Sequence, residues 1–418
     1  MAAEGLAARA AAVGLLGAVL DEGQLLGQVL VDPQGPLAGL TPSDRARAQR
    51  LATAVLRQVE PVDRVLAPHL RKSPPRMVRN VLRLAVVELS LGTAAHGVVN
   101  AAVEIVRRGK RTAPMAGLVN AVLRKIEGNP LAGQPVQKMP RWLRQPLVHA
   151  YGRDAVAAME AVQARPAPLD LTVRTGAEVP EGTMLPTGSL RLGDVGQISG
   201  LPGYAAGGWW VQDAAAALAV PLLAPKGGER VLDLCSAPGS KTLQLAAARA
   251  EVTTLDASEV RMGRVIENLA RTGLPARVVI ADALDWVADA PFDAVLLDAP
   301  CSATGTLRRH PDLPFVKDGS ELAELIALQS ALIDRALGMV RPGGRVVFCT
   351  CSLLPDEGEG QLAAALLRHP GLVVDRPEMA GIDPAWITEQ GGLRLRPDYW
   401  ADLGGMDGFF MVRLKRPA

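Results

Sequence analysis

The sequence predicts an α/β fold, a parallel sheet with interleaved helices, preceded by a separate all-helical region. Three observations predict it. From residue 209 onward, short apolar runs with strand character alternate with helical ones, the signature of a parallel sheet. Residues 1–127 are dominated by Ala, Leu and Arg, with apolar positions recurring at spacings of three and four. The 418-residue chain is long enough for two or three domains, and 49% hydrophobic with 21% charged residues excludes a disordered protein.

In the helical region, Val78, Leu82, Ala85 and Leu89 form one apolar stripe. Thr41-Pro42-Ser43-Asp44 and Ser73-Pro74-Pro75 are helix starts. The apolar stretch Ala10 to Leu20 has the length of a signal core. Glu4 before it and Asp21-Glu22 after it instead favour an amphipathic helix with Leu6, Val13, Leu16 and Leu20 inward. No stretch is long and apolar enough to span a membrane. Gly128-Asn129-Pro130 breaks the pattern. Residues 128–165 read as a connector with helices around Trp142-Leu143 and from Asp154 to Gln163. Residues 166–208 read as a small α/β subdomain rich in Gly and Pro, and residues 209–418 as the main sheet domain. Trp209-Trp210 at that boundary read as packing residues rather than base-stacking ones.

The net charge of +2 conceals an asymmetry. Residues 1–127 carry 17 Lys and Arg against 10 Asp and Glu, a balance of +7, and the remainder is at −5. A basic module beside a mildly acidic one suggests a polyanion partner for the first. Three clusters stand out: Arg45, Arg47 and Arg50; Arg71, Lys72, Arg76, Arg79 and Arg83; Arg107, Arg108, Lys110 and Arg111. The spacing of Arg76, Arg79 and Arg83 puts them on one helical face. A merely solvated face is the competing account.

All four cysteines, Cys235, Cys301, Cys349 and Cys351, lie in the C-terminal half, which is no disulfide framework. Reduced thiols in a cytoplasmic protein are the simpler reading. Cys349 and Cys351 lack a His or second Cys pair nearby, so no metal is expected. Cys301 follows the run Ala294-Val295-Leu296-Leu297 within Asp298-Ala299-Pro300-Cys301-Ser302, and Cys351 follows Arg345-Val346-Val347-Phe348. Open α/β sheets place chemistry outside the carboxyl ends of their strands, so both thiols are expected at one sheet edge. A thiolate there suits covalent chemistry.

A cofactor corner is also legible. Val231-Leu232-Asp233-Leu234 is a strand. The tight loop Cys235, Ser236, Ala237, Pro238, Gly239, Ser240, Lys241 and Thr242 leads from it into a helix. The spacing is neither G-x-G-x-x-G nor a P-loop. Asp256, Asp282 and Asp298 follow successive strand-like runs. Three acids suit a nucleoside with a positive group and suit a pyrophosphate poorly. S-adenosyl-L-methionine, with a ribose, an adenine, a sulfonium and no phosphate, fits that set.

Taken together, the motifs around Cys235–Thr242, Leu255-Asp256-Ala257-Ser258, Asp298-Ala299-Pro300-Cys301-Ser302, Thr350-Cys351-Ser352 and Gly404-Gly405-Met406-Asp407-Gly408-Phe409-Phe410 resemble the RNA cytosine-carbon-5 methyltransferases, specifically the Fmu/Sun bacterial ribosomal RNA type. That type carries an N-terminal NusB-like RNA-binding domain, which the basic helical region and Val119-Asn120-Ala121-Val122-Leu123-Arg124 resemble. Trp142-Leu143 and Tyr151-Gly152 resemble its connector. Ser236 and Ser240 depart from the family's usual Ala-Ala-Pro-Gly-Gly-Lys loop, and Arg174-Thr175-Gly176 stands where it usually has Arg-Val-Asn.

The resemblance implies a Rossmann-like, S-adenosyl-L-methionine-dependent catalytic domain acting on RNA, above all 16S ribosomal RNA, as a monomer. It implies Cys351 as the thiolate that adds to carbon 6 of the cytosine and Cys301 as the cysteine that helps resolve the adduct. Asp298 would lie near cofactor and base, and Lys241 near the base. Arg308-Arg309-His310-Pro311-Asp312 is either an RNA-backbone contact or a surface loop. Cys235 is expected to be structural in the loop and Cys349 to face the core. A transfer RNA methyltransferase of the same chemistry and a non-catalytic RNA-binding assembly factor are the alternatives. Intact Cys301, Cys351, Asp298 and Lys241 argue against the second.

Overall fold

The computed structural model describes residues 5–193 and 195–418; Glu4, used above in the reading of the N-terminus, lies outside the described residues. The chain forms two compact units. The first contains the described residues up to Gln145 together with Val156–Pro166 and Leu307–Asp318; the second contains Pro146–Ala155, Ala167–Thr306 and Gly319–Ala418.

The first unit is helical. Its leading helix, Leu6–Leu20, buries Leu6, Val13 and Leu16 as the spacing predicts, and also Ala8, Ala12, Leu15 and Val19. It is therefore a central helix covered on most sides rather than a surface one. Inside the unit, Arg9 meets Glu88 at 2.7 Å, a buried pair joining this helix to the helix Arg76–Ser90. The helix Pro42–Leu56 starts where Thr41 accepts the Asp44 N–H at 3.2 Å, with Pro42 in the first turn. Val78, Leu82, Ala85 and Leu89 all lie in the core. The connector helices run Arg141–Tyr151 and Arg153–Gln163.

The segment Leu307–Asp318 is part of this same helical unit. Phe315 and Val316 pack against its core, and the Asp312 carboxylate accepts the Leu26 N–H at 2.9 Å.

The second unit begins with a small antiparallel sheet of β1 (Leu169–Val173), β2 (Thr183–Met184), β3 (Leu190–Leu192) and β4 (Trp209–Val211), in the order β2-β3-β1-β4. The strand β4, set by the sequence reading at the start of the main sheet domain, pairs with β1 instead. Both tryptophans pack inward: the Trp209 indole donates to the Pro202 carbonyl at 2.8 Å and Trp210 to Gln212 at 2.9 Å.

The main sheet holds β5 (Arg230–Leu234), β6 (Glu251–Asp256), β7 (Arg277–Ile280), β8 (Phe292–Asp298), β9 (Val340–Thr350), β10 (Val373–Asp375), β11 (Leu393–Leu395) and β12 (Phe409–Lys415). Its order is β10-β12-β9-β8-β5-β6-β7, with β11 pairing β12. Strands β5 to β9 run parallel, whereas β12 joins β9 antiparallel. The central strands are buried on both faces, which is why they read as continuous apolar runs. From β5 the chain builds outward through β6 and β7, then returns to lay β8 and β9 on the other side. The strand order therefore reverses between β5 and β8, the crevice where open α/β sheets bind ligands. Among the described residues no helix is long and apolar enough to cross a membrane.

Candidate active site

The site is built from the carboxyl ends of β5, β8 and β9. After β5, Cys235 takes a left-handed conformation (φ 57°) and Gly239 another (φ 98°), and the helix Ser240–Ala247 begins at once. Gly239 is required: a Cβ there would sit 3.1 Å from Val265, on a backbone that favours glycine. Ser240, the departure from the family loop, is the first residue of the helix and needs no such freedom. The Ser236 hydroxyl accepts from Thr254 at 2.6 Å, so this second departure is built into the core.

Asp256 ends β6 and is 5% exposed. One carboxylate oxygen accepts the Ala237 N–H at 3.1 Å and the other the Ser258 N–H at 2.9 Å. The acid thus holds the loop closed, with lone pairs left for a ligand's hydroxyls. Asp282 lies two residues beyond the end of β7, is exposed, and accepts the Leu284 N–H at 2.9 Å. An open cleft borders the loop at Pro238 and Ser240, lined also by Tyr204, Trp210, Asn268 and Arg271.

Lys241 points inward. It is 5% exposed and donates to Asp298 at 2.6 Å. Burial works against its charge, but Asp298, Cys349 and Asp233 outweigh burial and raise the ammonium above its ordinary range. A lysine so committed cannot cradle a phosphate, so the corner suits an uncharged ribose and a cation. Asp233, fully buried behind it, is pushed up by burial to about 7, against the opposing hydrogen bond from Thr242 at 2.6 Å.

The two thiols meet. Register pairs Asp298 on β8 with Cys349 on β9, so the loops leave the sheet side by side. The Ala299 N–H donates to the Cys349 carbonyl and the Gly305 N–H to the Cys351 carbonyl, both at 2.9 Å. The Sγ atoms of Cys301 and Cys351 lie 3.4 Å apart. The adjacent Cys351 thiol, burial and Glu357 push the Cys301 thiol well above its ordinary range. Cys349 is fully buried, its thiol raised by burial and by Asp298, to which it donates at 3.4 Å. Burial carries Cys235 to about 12. Both are poor nucleophiles on these grounds.

Several residues that hold the site carry no sequence signal of their own. The Arg394 guanidinium donates to the Ser352 carbonyl at 2.5 Å and pairs with Glu359 at 2.6 Å. The Tyr151 hydroxyl donates to the Leu353 carbonyl at 2.8 Å. Gly408 explains the Gly-Met-Asp-Gly motif: its N–H donates to Gly305 at 2.8 Å, and a Cβ on Gly305 would lie 2.0 Å from the Gly408 carbonyl oxygen. Glu357 is wholly buried beneath both cysteine loops.

Two basic groupings differ from their sequence reading. Arg79 and Arg83 do share a helical face, but both turn to Asp63, at 2.6 and 2.7 Å, and Arg83 is buried. Asp63 offsets one of the two charges, and Arg79 stays partly exposed. Arg308 is 1% exposed, so it packs rather than presenting to an RNA backbone. Arg45, Arg50, Arg71, Lys72, Arg107, Arg108, Lys110 and Arg111 are exposed. Among the described residues no cluster of three or more His, Cys, Asp or Glu side chains could hold a metal ion.

Replacing Asp256 with alanine is expected to weaken S-adenosyl-L-methionine binding by about 1.5–3 kcal/mol, the scale for a charged hydrogen bond. Titration calorimetry reads this directly, and unchanged affinity would remove Asp256 from the binding corner.

Residues 220–415 match the family described as 16S rRNA methyltransferase RsmB/F, and residues 6–128 match the NusB family. A protein of Vibrio cholerae named ribosomal RNA small subunit methyltransferase B is 34% identical, covering 98% of this chain and 97% of its own. Its namesake from Salmonella arizonae is 33% identical over 95% of each chain. A solved structure titled PH0851 shares the fold, with a TM-score of 0.70 at 23% identity over 98% of this chain and 99% of its own.

Proposed function

We propose that this chain, which belongs to the ribosomal RNA small subunit methyltransferase B family, methylates carbon 5 of a cytosine in 16S ribosomal RNA through a covalent bond from Cys351 to carbon 6. The observation that carries this reading is the pair of thiols 3.4 Å apart at the ends of adjacent parallel strands. One nucleophile would suffice to form an adduct. A second sulfur beside it suits a cycle in which the adduct must also be undone.

Carbon 5 of cytosine is too poor a nucleophile to take a methyl group unaided. Addition of the Cys351 thiolate at carbon 6 makes the ring enamine-like, and carbon 5 then attacks. S-adenosyl-L-methionine, held by the loop of residues 235–241 with Asp256, Asp282 and Asp298, supplies the methyl group on a sulfonium. The ring afterwards carries both the methyl and its original hydrogen on carbon 5. Transfer of that proton to water and departure of Cys351 as thiolate restore aromaticity, with Cys301 assisting at the adjacent sulfur. Asp298 fixes the Lys241 ammonium at 2.6 Å, which suits a role for that ammonium near the reacting ring. The base must leave its stack to reach this edge, at a cost of about a few kcal/mol. The exposed Lys and Arg side chains of the helical unit suit the RNA backbone, whose phosphates release counterions on contact.

The test follows the carbon-5 hydrogen. RNA carrying tritium on cytosine carbon 5 is incubated with enzyme and S-adenosyl-L-methionine. One tritium is expected in water for each methyl transferred, with 16S RNA preferred over transfer RNA. Methyl transfer without tritium release would refute carbon 5, and preference for transfer RNA would refute the substrate.

A further inference from the structure

Glu357 follows Cys351 by six residues and takes no part in the chemistry above, yet it is buried completely, with 0% exposure. A buried carboxylate is costly unless its oxygens are satisfied, and here the donors come from both cysteine loops. The Ser302 N–H donates to it at 2.8 Å, and the Ser302 hydroxyl donates as well. The Ser352 hydroxyl donates at 2.5 Å. Gln329 donates to Glu357 at 3.0 Å and to the Pro300 carbonyl at 2.9 Å. The Glu357 main-chain carbonyl accepts from the Thr350 hydroxyl at 2.9 Å. Pro300 and Ser302 flank Cys301; Thr350 and Ser352 flank Cys351. Every neighbour of either cysteine is therefore tied to Glu357, directly or through Gln329. Thr304 closes the network, with its hydroxyl 3.2 Å from Ser302 and 3.1 Å from Ser352.

We propose that Glu357 is a positioning residue whose one carboxylate grips both cysteine loops and so sets the separation of the two thiols. The proposal rests on the reading that both thiols serve one methyl-transfer cycle. A carboxylate with two oxygens can hold two hydroxyls and a backbone N–H together; an amide offers a single acceptor oxygen and adds donors where donors already converge. Both hydroxyls meet one carboxylate oxygen, and the Ser302 N–H and Gln329 meet the other, so Glu357→Gln sets an amide NH2 against one of these two donor pairs and breaks the joint grip. Both thiols remain, and the cofactor corner at Asp256 is untouched.

The experiment measures geometry and turnover separately on the full chain. Dibromobimane carries two thiol-reactive arms a few ångströms apart and becomes fluorescent when both have reacted. In the wild type it is expected to bridge Cys301 and Cys351, as located by peptide mapping and lost in Cys301→Ala. In Glu357→Gln the bridging yield should fall about tenfold and kcat about a hundredfold, the scale for an ångström of misplacement. KM for RNA and for S-adenosyl-L-methionine should stay unchanged, a split that general loosening of the fold would not give. The double variant Ser302→Ala/Ser352→Ala removes the two hydroxyl grips with Glu357 in place, and it decides the matter if Glu357→Gln does not fold. Wild-type bridging in the folded variant overturns the proposal, as does wild-type kcat with bridging lost. Failure of the functional reading shows elsewhere, as methyl transfer that survives loss of Cys351, and the bridging yield does not depend on it.

Discussion

Purified Cys351→Ala is expected to produce no methylated RNA above background, a loss of about 10⁴-fold or more, as when a covalent nucleophile is removed. Its S-adenosyl-L-methionine affinity should match the wild type, because the loop of residues 235–241 and Asp256 are held by contacts of their own. The other three thiols cannot substitute. Cys349 and Cys235 are raised by burial, and with Cys351 gone the Cys301 thiol is still raised by burial and Glu357. Radiolabelled methyl transfer beside calorimetry separates the two quantities. Full turnover by the variant would overturn the assignment of the nucleophile.

Cys301→Ala should behave in the opposite way. The thiolate of Cys351 still adds and the methyl still transfers, but elimination stalls. A protein–RNA species that survives denaturant should accumulate, absent from Cys351→Ala. The geometry motivates this, because the Cys301 sulfur lies 3.4 Å from the sulfur that must leave. Denaturing electrophoresis with labelled RNA reads the result. An adduct in Cys351→Ala but not in Cys301→Ala would reverse the two roles.

Local pattern carried much of this into the sequence. The apolar runs before Cys301 and Cys351 are β8 and β9, and both thiols reach one sheet edge because parallel register lays Asp298 beside Cys349. The turn after Leu234 was legible from its Gly and Pro. Illegible were the groups whose partners lie far along the chain. Glu357 reads as an ordinary acid in a loop, and only folding brings it to Ser302, 55 residues away. Arg394 reaches Ser352 across 42 residues. The same blindness covers two members of the second basic cluster: helical spacing aligned Arg79 and Arg83 but could not show that Asp63 meets them. Arg308 looked like a surface residue because its loop is polar, whereas it is buried in the helical unit.

That the helical unit includes Leu307–Asp318 bears on how the chain is made. Ala167–Thr306 is synthesised before that segment arrives. At about 5–20 residues per second, the nascent helices wait on the order of ten seconds for their last piece. Until then the Leu26 N–H lacks the Asp312 carboxylate, and the patch that receives Phe315 and Val316 faces water. The N-terminal helices emerge first yet are completed only after β8 has left the ribosome. Completion of the leading unit thereby waits on the synthesis of residues that belong to the other.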